Sequence, residues 1–259
     1  MKKDRFILMS FDVEEFDLPL EYNHSIGLSE QLEVGKAGLD ITAALMQDFK
    51  IPCTLFTTAN FAIHYPESIA EMASHHEIAS HTYFHNSFKE ADLLLSKQKL
   101  EEITGTVVSG LRMPRMQPVD MKAVKAAGYD YDASVNPTLI PGRYNNFHLP
   151  RTFYKEEGVI RLPASVTPNA RIPLFWLAFK NFPYLLFKKL AIQTIRHDGY
   201  LCLYFHPWEF TDISSYQLPG YIKNNCSIRL QNILRKLIED LQKEGEFLTI
   251  RDYLQNCPV

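Results

Sequence analysis

Short apolar runs alternate with helix-like stretches along the whole of this 259-residue chain. No other feature constrains the fold as strongly. Strands joined through helices pair in parallel and build one sheet, either open or closed into a barrel. The runs that read as strands are 5–12, 53–57, 77–80, 107–112, 129–133, 159–162, 200–206 and 247–250. They are short, and several are rich in β-branched or aromatic residues. Helices are expected between them, over 36–49 after Gly35, over 66–74 from Pro66, over 88–104 ending at Gly105, and over 118–127 ending at Gly128. After Ser227, the residues Leu230, Ile233, Leu234, Leu237, Ile238 and Leu241 recur at helical spacing, and Gly245 ends that helix. With no linker, repeat or low-complexity segment, residues 1–259 read as a single α/β domain.

Composition narrows the function. With 46% hydrophobic residues, a chain of this length fills a core without disulfides or a structural metal. A net charge of -3 leaves no basic excess to neutralise phosphates, which argues against a nucleic-acid partner. Cys53, Cys202, Cys226 and Cys257 form no CxxC pair, so they read as buried or idle thiols of a reducing compartment. The apolar run 6–11 is short and ends in Asp12, which suits a first strand better than a secretory leader. The expected location is therefore cytoplasmic. The aromatic-rich stretch from Ile172 to Leu190 also carries Lys180, Pro183, Lys188 and Lys189, so it is no clean membrane span. It reads as an outer helix with a bend, or alternatively as an aromatic lid or peripheral membrane contact with lysines reaching out beside apolar rings.

Polar clusters fall at the strand ends, where a parallel α/β fold places its chemistry. Asp12 and Glu14 are two apart and share a face of an extended chain, while Val13 points the other way. Such a pair can hold a cation and accept a proton from water, or it can be an exposed acidic turn. His81 and His85, four apart, can reach one metal ion. Arg112 can lock a carboxylate through paired hydrogen bonds, or be a surface ion pair. Asp132 follows Tyr131 at the next strand. His206 ends an apolar strand in Tyr204-Phe205-His206-Pro207-Trp208-Glu209, where it suits general-acid work or is a satisfied core histidine. His24, His64, His75 and His76 fit surface or capping roles better.

Taken in order, these clusters resemble the polysaccharide deacetylases, the NodB-homology carbohydrate esterases. That family's motifs run from an aspartate pair through H-[S/T]-x-x-H, R-x-P and an aspartate segment to a late strand-end histidine. Here they span residues 12 to 206, and FDVEE, YDAS and YFHPWEF are similar to the exopolysaccharide-associated subgroup. The resemblance implies a distorted, incomplete (β/α) barrel of about seven parallel strands. It implies Asp12 as base, His81 and His85 as metal ligands, Arg112 orienting the base, Asp132 supporting the acid, and His206 as that acid.

Two positions depart from the family. Val13 stands where the second aspartate ligates metal, and Glu14 is its natural replacement. Arg115 stands where an aromatic residue follows R-x-P and a backbone N–H holds the oxyanion. Arg115 and Trp208 are the expected substrate contacts. The cofactor implied is a divalent ion, zinc first, with cobalt, nickel or manganese as alternatives. The partner implied is an N-acetylated glycan or sugar precursor. Competing expectations are a cyclic-ureide or imide hydrolase of the allantoinase kind, and an inactive glycan-binding module.

Overall fold

The computed structural model describes residues 5–142 and 144–256. Cys257 and the first four residues of the N-terminal segment lie outside the described residues. In chain order the strands are β1 (Phe6–Val13), β2 (Thr54–Thr57), β3 (Glu77–Ser80), β4 (Gly110–Leu111), β5 (Tyr131–Asp132), β6 (Leu139–Ile140), β7 (Tyr144–Asn145), β8 (Tyr154–Glu156), β9 (Val159–Arg161), β10 (Tyr200–Phe205) and β11 (Glu246–Phe247). The main sheet runs β10-β1-β2-β3-β4-β5-β9-β8, with β11 paired to the start of β1. All its pairs are parallel except β8–β9, so seven parallel strands curl from β10 round to β9.

The gap between the sheet's edges is bridged without a ladder. Ser165 N–H donates to the Cys202 carbonyl at 2.9 Å, and Cys202 N–H donates to Ser165 Oγ at 2.9 Å. This is the expected incomplete barrel. β6 and β7 form a separate antiparallel hairpin. The last expected strand is shortened: β11 ends at Phe247, and Ile250 opens the helix Ile250–Asn256.

Strand alternation sorts side chains between two cores. Ile7, Met9, Phe11 and Val13 of β1 join the core under the helices. Leu8 joins Phe56, Ala79, Tyr131, Ala133, Leu162 and Cys202 in a second cluster inside the curl. Continued along β1, the same alternation sends Ser10, Asp12 and Glu14 inward, toward the carboxyl-end mouth of the sheet.

The helix Leu28–Phe49 starts eight residues before the expected position 36. Gly35 and Gly38 lie inside it because it presses on backbone at both. A Cβ at Gly35 would stand 2.6 Å from the Glu14 carbonyl oxygen, and one at Gly38 would stand 2.2 Å from that of Pro207.

The stretch from Ile172 to Leu190 becomes two helices, Trp176–Asn181 and Tyr184–Asp198, bent at Phe182 and Pro183. Phe175, Trp176, Phe179 and Phe187 are buried, whereas Leu185 and Leu186 are exposed. Lys180 does not reach out beside its aromatic neighbours but is buried among them, which corrects the sequence expectation for that lysine. No helix of the described residues is long and apolar enough to cross a membrane.

Candidate active site

Three predicted ligands meet at one point. Glu14 Oε2 lies 3.1 Å from His81 Nε2 and 3.0 Å from His85 Nε2. All three residues are buried. The histidines arrive on one tight loop after β3, where Thr82 takes a left-handed φ of 63° and the two rings stack 5.6 Å apart.

The far nitrogen of each ring is already engaged. His81 Nδ1 donates to the Arg112 carbonyl at 2.7 Å, and His85 Nδ1 donates to Asp17 Oδ1 at 2.7 Å. Those bonds select the tautomer whose Nε2 lone pair faces Glu14. Two imidazole lone pairs converging on a carboxylate oxygen repel one another unless a cation lies between them. The donor set therefore fits a divalent metal ion with two nitrogen ligands and one oxygen ligand.

Without a metal ion, Glu14 and His85 stabilise each other's charged forms. Burial alone would raise the Glu14 pKa, but His85, His206 and His81 outweigh it and hold the carboxyl well below its usual range. Burial would lower His85, but Glu14 and Asp17 carry it up to about 9.

Asp12 and His206 lie beside this cluster. Arg112, fully buried, donates from Nη1 to Asp12 Oδ1 at 2.6 Å and to Ser10 Oγ at 3.0 Å. Its guanidinium sits 4.0 Å from the Phe56 ring centroid and 5.0 Å from that of Tyr204, so it is clamped in place. The other oxygen, Asp12 Oδ2, faces His206 Nε2 at 3.9 Å. That spacing is too long for a direct hydrogen bond and leaves room for a reacting atom between them. The His206 ring stacks on Trp208 at 4.9 Å and meets Trp176 edge-on at 4.9 Å. Burial pulls the His206 pKa down, but the carboxylates of Glu14, Glu209 and Asp12 outweigh it and raise the value.

One expected role changes. Asp132 does not support His206. It ion-pairs with Arg161 at 2.9 Å and accepts hydrogen bonds from Ser134, whose Oγ accepts the Met113 N–H. Asp132 thus braces the turn that follows Arg112, because β5 lies beside β4 and away from β10. The partner of His206 is Glu209, whose Oε1 lies 3.1 Å from Nδ1 and accepts the His206 backbone N–H at 2.8 Å. The Arg115 side chain turns back to Asp17, Glu21 and the His85 carbonyl, so it braces the loop that carries His81 and His85 while lining the cavity. Trp208 lines the cavity too, and its Nε1 donates to Glu14 Oε1 at 3.1 Å.

Asp17 and Glu209 escaped the sequence reading. Glu209 stands inside a stretch already singled out, YFHPWEF, and Asp17 lies two residues beyond FDVEE. A histidine ligand needs an acceptor for its second nitrogen, and that need was the available signal.

Asp12, Glu14, His81, His85, His206 and Trp208 line one cavity of about 280 Å³, walled further by Tyr144, Phe175, Trp176, Tyr204 and Tyr221. Its lining sets converging ionisable groups against aromatic and aliphatic side chains.

Residues 38–131 match the family model for polysaccharide deacetylase, as the motifs led us to expect. No curated protein matches the chain. Among solved structures, a candidate polysaccharide deacetylase from Mycobacterium smegmatis is 19% identical, with a TM-score of 0.67 over 98% of this chain and 90% of that one. The PuuE allantoinase is 18% identical, with a TM-score of 0.68 over 97% and 89%. A candidate polysaccharide deacetylase from Pseudomonas aeruginosa is 16% identical, with a TM-score of 0.69 over 99% and 93%. The three share this chain's fold.

Proposed function

From the polysaccharide deacetylase match and the shared fold, we propose that this chain is a metal-dependent hydrolase removing N-acetyl groups from amino sugars of a polysaccharide or its precursor. One observation carries the reading. Glu14, His81 and His85 converge within hydrogen-bond distance, beside an Asp12–His206 pair set 3.9 Å apart in the same cavity.

A divalent ion held by Glu14, His81 and His85, zinc first by ligand type, would polarise the acetyl carbonyl and lower the pKa of a water to about 7. The protein's own residues do the rest. Asp12 accepts the proton of the attacking water on Oδ2, because Arg112 occupies Oδ1. The backbone N–H of Arg115 stabilises the developing oxyanion. His206 delivers a proton from Nε2 to the departing amine, and its raised pKa keeps that proton available near neutrality. The FDVEE, YDAS and YFHPWEF stretches favour an exopolysaccharide substrate.

An allantoinase on the same fold favours one competing reading, ring-opening of a cyclic ureide. Assays for acetate release from N-acetylated glycans and for allantoin opening separate the two. Acetate release is the expected result. Turnover of allantoin alone would move the assignment to the ureide. Failure to take up zinc, cobalt, nickel or manganese, with no turnover, would leave a glycan-binding module.

A further inference from the structure

Lys180 is an unusual residue to find where it is. It belongs to the helix Trp176–Asn181, yet its ammonium is fully buried. Nζ lies 2.8 Å from Glu209 Oε2, which is also fully buried, and donates to the Ile222 carbonyl at 2.9 Å and to Cys226 Sγ at 3.3 Å. It stands 5.1 Å from the Trp176 ring centroid and 5.7 Å from that of Trp208.

The same two rings flank His206. One carboxylate therefore joins a fixed cation on Oε2 to the histidine's backbone N–H and Nδ1 on Oε1. A buried ion pair is often no more stabilising than well-packed apolar residues of similar volume, so stability alone does not account for a lysine here.

We propose that the buried Lys180–Glu209 pair positions His206. Lys180 fixes the charge and the orientation of the Glu209 carboxylate. That carboxylate holds the Nδ1–H of His206, so Nε2 faces Asp12 across the cavity. Against its burial, Glu209 is held below the ordinary carboxylate range, Lys180 contributing most, in keeping with an ionised partner. The role assigned to His206 rests on the deacetylase reading; its positioning does not. On this view the aromatic stretch contributes to the site a cation that lies outside every motif of the resemblance.

The test is ¹⁵N-histidine NMR of the whole protein beside steady-state kinetics. The His206 Nδ1–H signal is assigned by its loss in His206→Ala. In wild type we expect one fixed tautomer with Nδ1 protonated. In Lys180→Met that signal is lost, kcat falls about 10–100-fold as for other supporting partners, and KM stays within about two-fold. Lys180→Arg restores most of both.

If Lys180→Met fails to fold, the neutral pair Lys180→Met/Glu209→Gln removes both buried charges and decides the matter. The expected result is again a lost signal and a lowered kcat. A folded variant, single or double, that keeps the wild-type tautomer and kcat overturns the proposal and reduces the pair to a structural tie. Should wild type hydrolyse no N-acetylated substrate, the deacetylase reading falls. The NMR comparison then judges the positioning alone, signal lost on Lys180→Met supporting it and signal retained overturning it.

Discussion

In the proposed mechanism Asp12 and His206 would divide the proton traffic by what each has already committed. Asp12 gives one oxygen to Arg112, and His206 gives one nitrogen to Glu209, so each keeps a single free atom toward the cavity. Asp12→Asn and His206→Ala are expected to fold and retain metal while losing about 10²–10⁴ in kcat, the usual worth of a general base or acid. Metal analysis, circular dichroism and kinetics on the same samples check this. The pH profile follows from His206. Its pKa is raised above the ordinary 6.5, so the protonated acid persists above that value and the alkaline limb of kcat/KM lies above 6.5. Glu209→Gln removes a carboxylate that raises it, and the limb moves toward lower pH. The same raised value stabilises the fold below pH 6.5, and that contribution is lost as pH climbs through the folded pKa.

The helix Leu28–Phe49 joins the two halves of the site. Its glycines approach the Glu14 carbonyl at one point and the Pro207–Trp208 backbone at another, next to His206. Gly38→Ala would place a carbon 2.2 Å from the Pro207 carbonyl oxygen and 2.6 Å from the Trp208 nitrogen, both backbone atoms. The turn bearing His206 and Trp208 must then move. Urea unfolding is expected to show a loss of about 1–3 kcal/mol, typical of overpacking, together with lower kcat. Unchanged stability and activity in this variant would mean that the contact is looser than its geometry. Periodicity alone set this helix to begin after Gly35, since a glycine ordinarily marks a helix end. Only the approach of another chain segment explains a glycine within it.

At the scale of the whole molecule, metal binding should couple to stability, since the proposed donors come from the residue after β1 and from the loop after β3 and meet only in the folded chain. Chelation is expected to abolish turnover, and added zinc to restore it. Zinc at a hundred times its Kd stabilises the folded state by about 2.7 kcal/mol if it binds that state alone. Thermal melts with and without zinc measure this. Glu14→Ala and His81→Ala should lose both the bound metal and the zinc-dependent rise in melting temperature. A full complement of metal in Glu14→Ala would remove Glu14 from the ligand set.

The sequence by itself determined the alternation of strand and helix, the shared face of Asp12 and Glu14, and the histidine pair four residues apart. These are local matters, because side-chain direction along a strand and reach within a loop depend on near neighbours. The same locality made Glu14 legible as the replacement for a ligand at Val13. Which distant groups would meet was decided only by the tertiary structure. Parallel pairing puts β5 beside β4 and β10 beside β1, so Asp132 is left bracing Arg161 and Ser134 while Glu209 takes His206. Lys180, on a helix outside every motif, becomes the cation of the site because the curl of the sheet brings that helix over the end of β10. Charge partners buried by different elements have no spacing to read, and their meeting is fixed by packing alone.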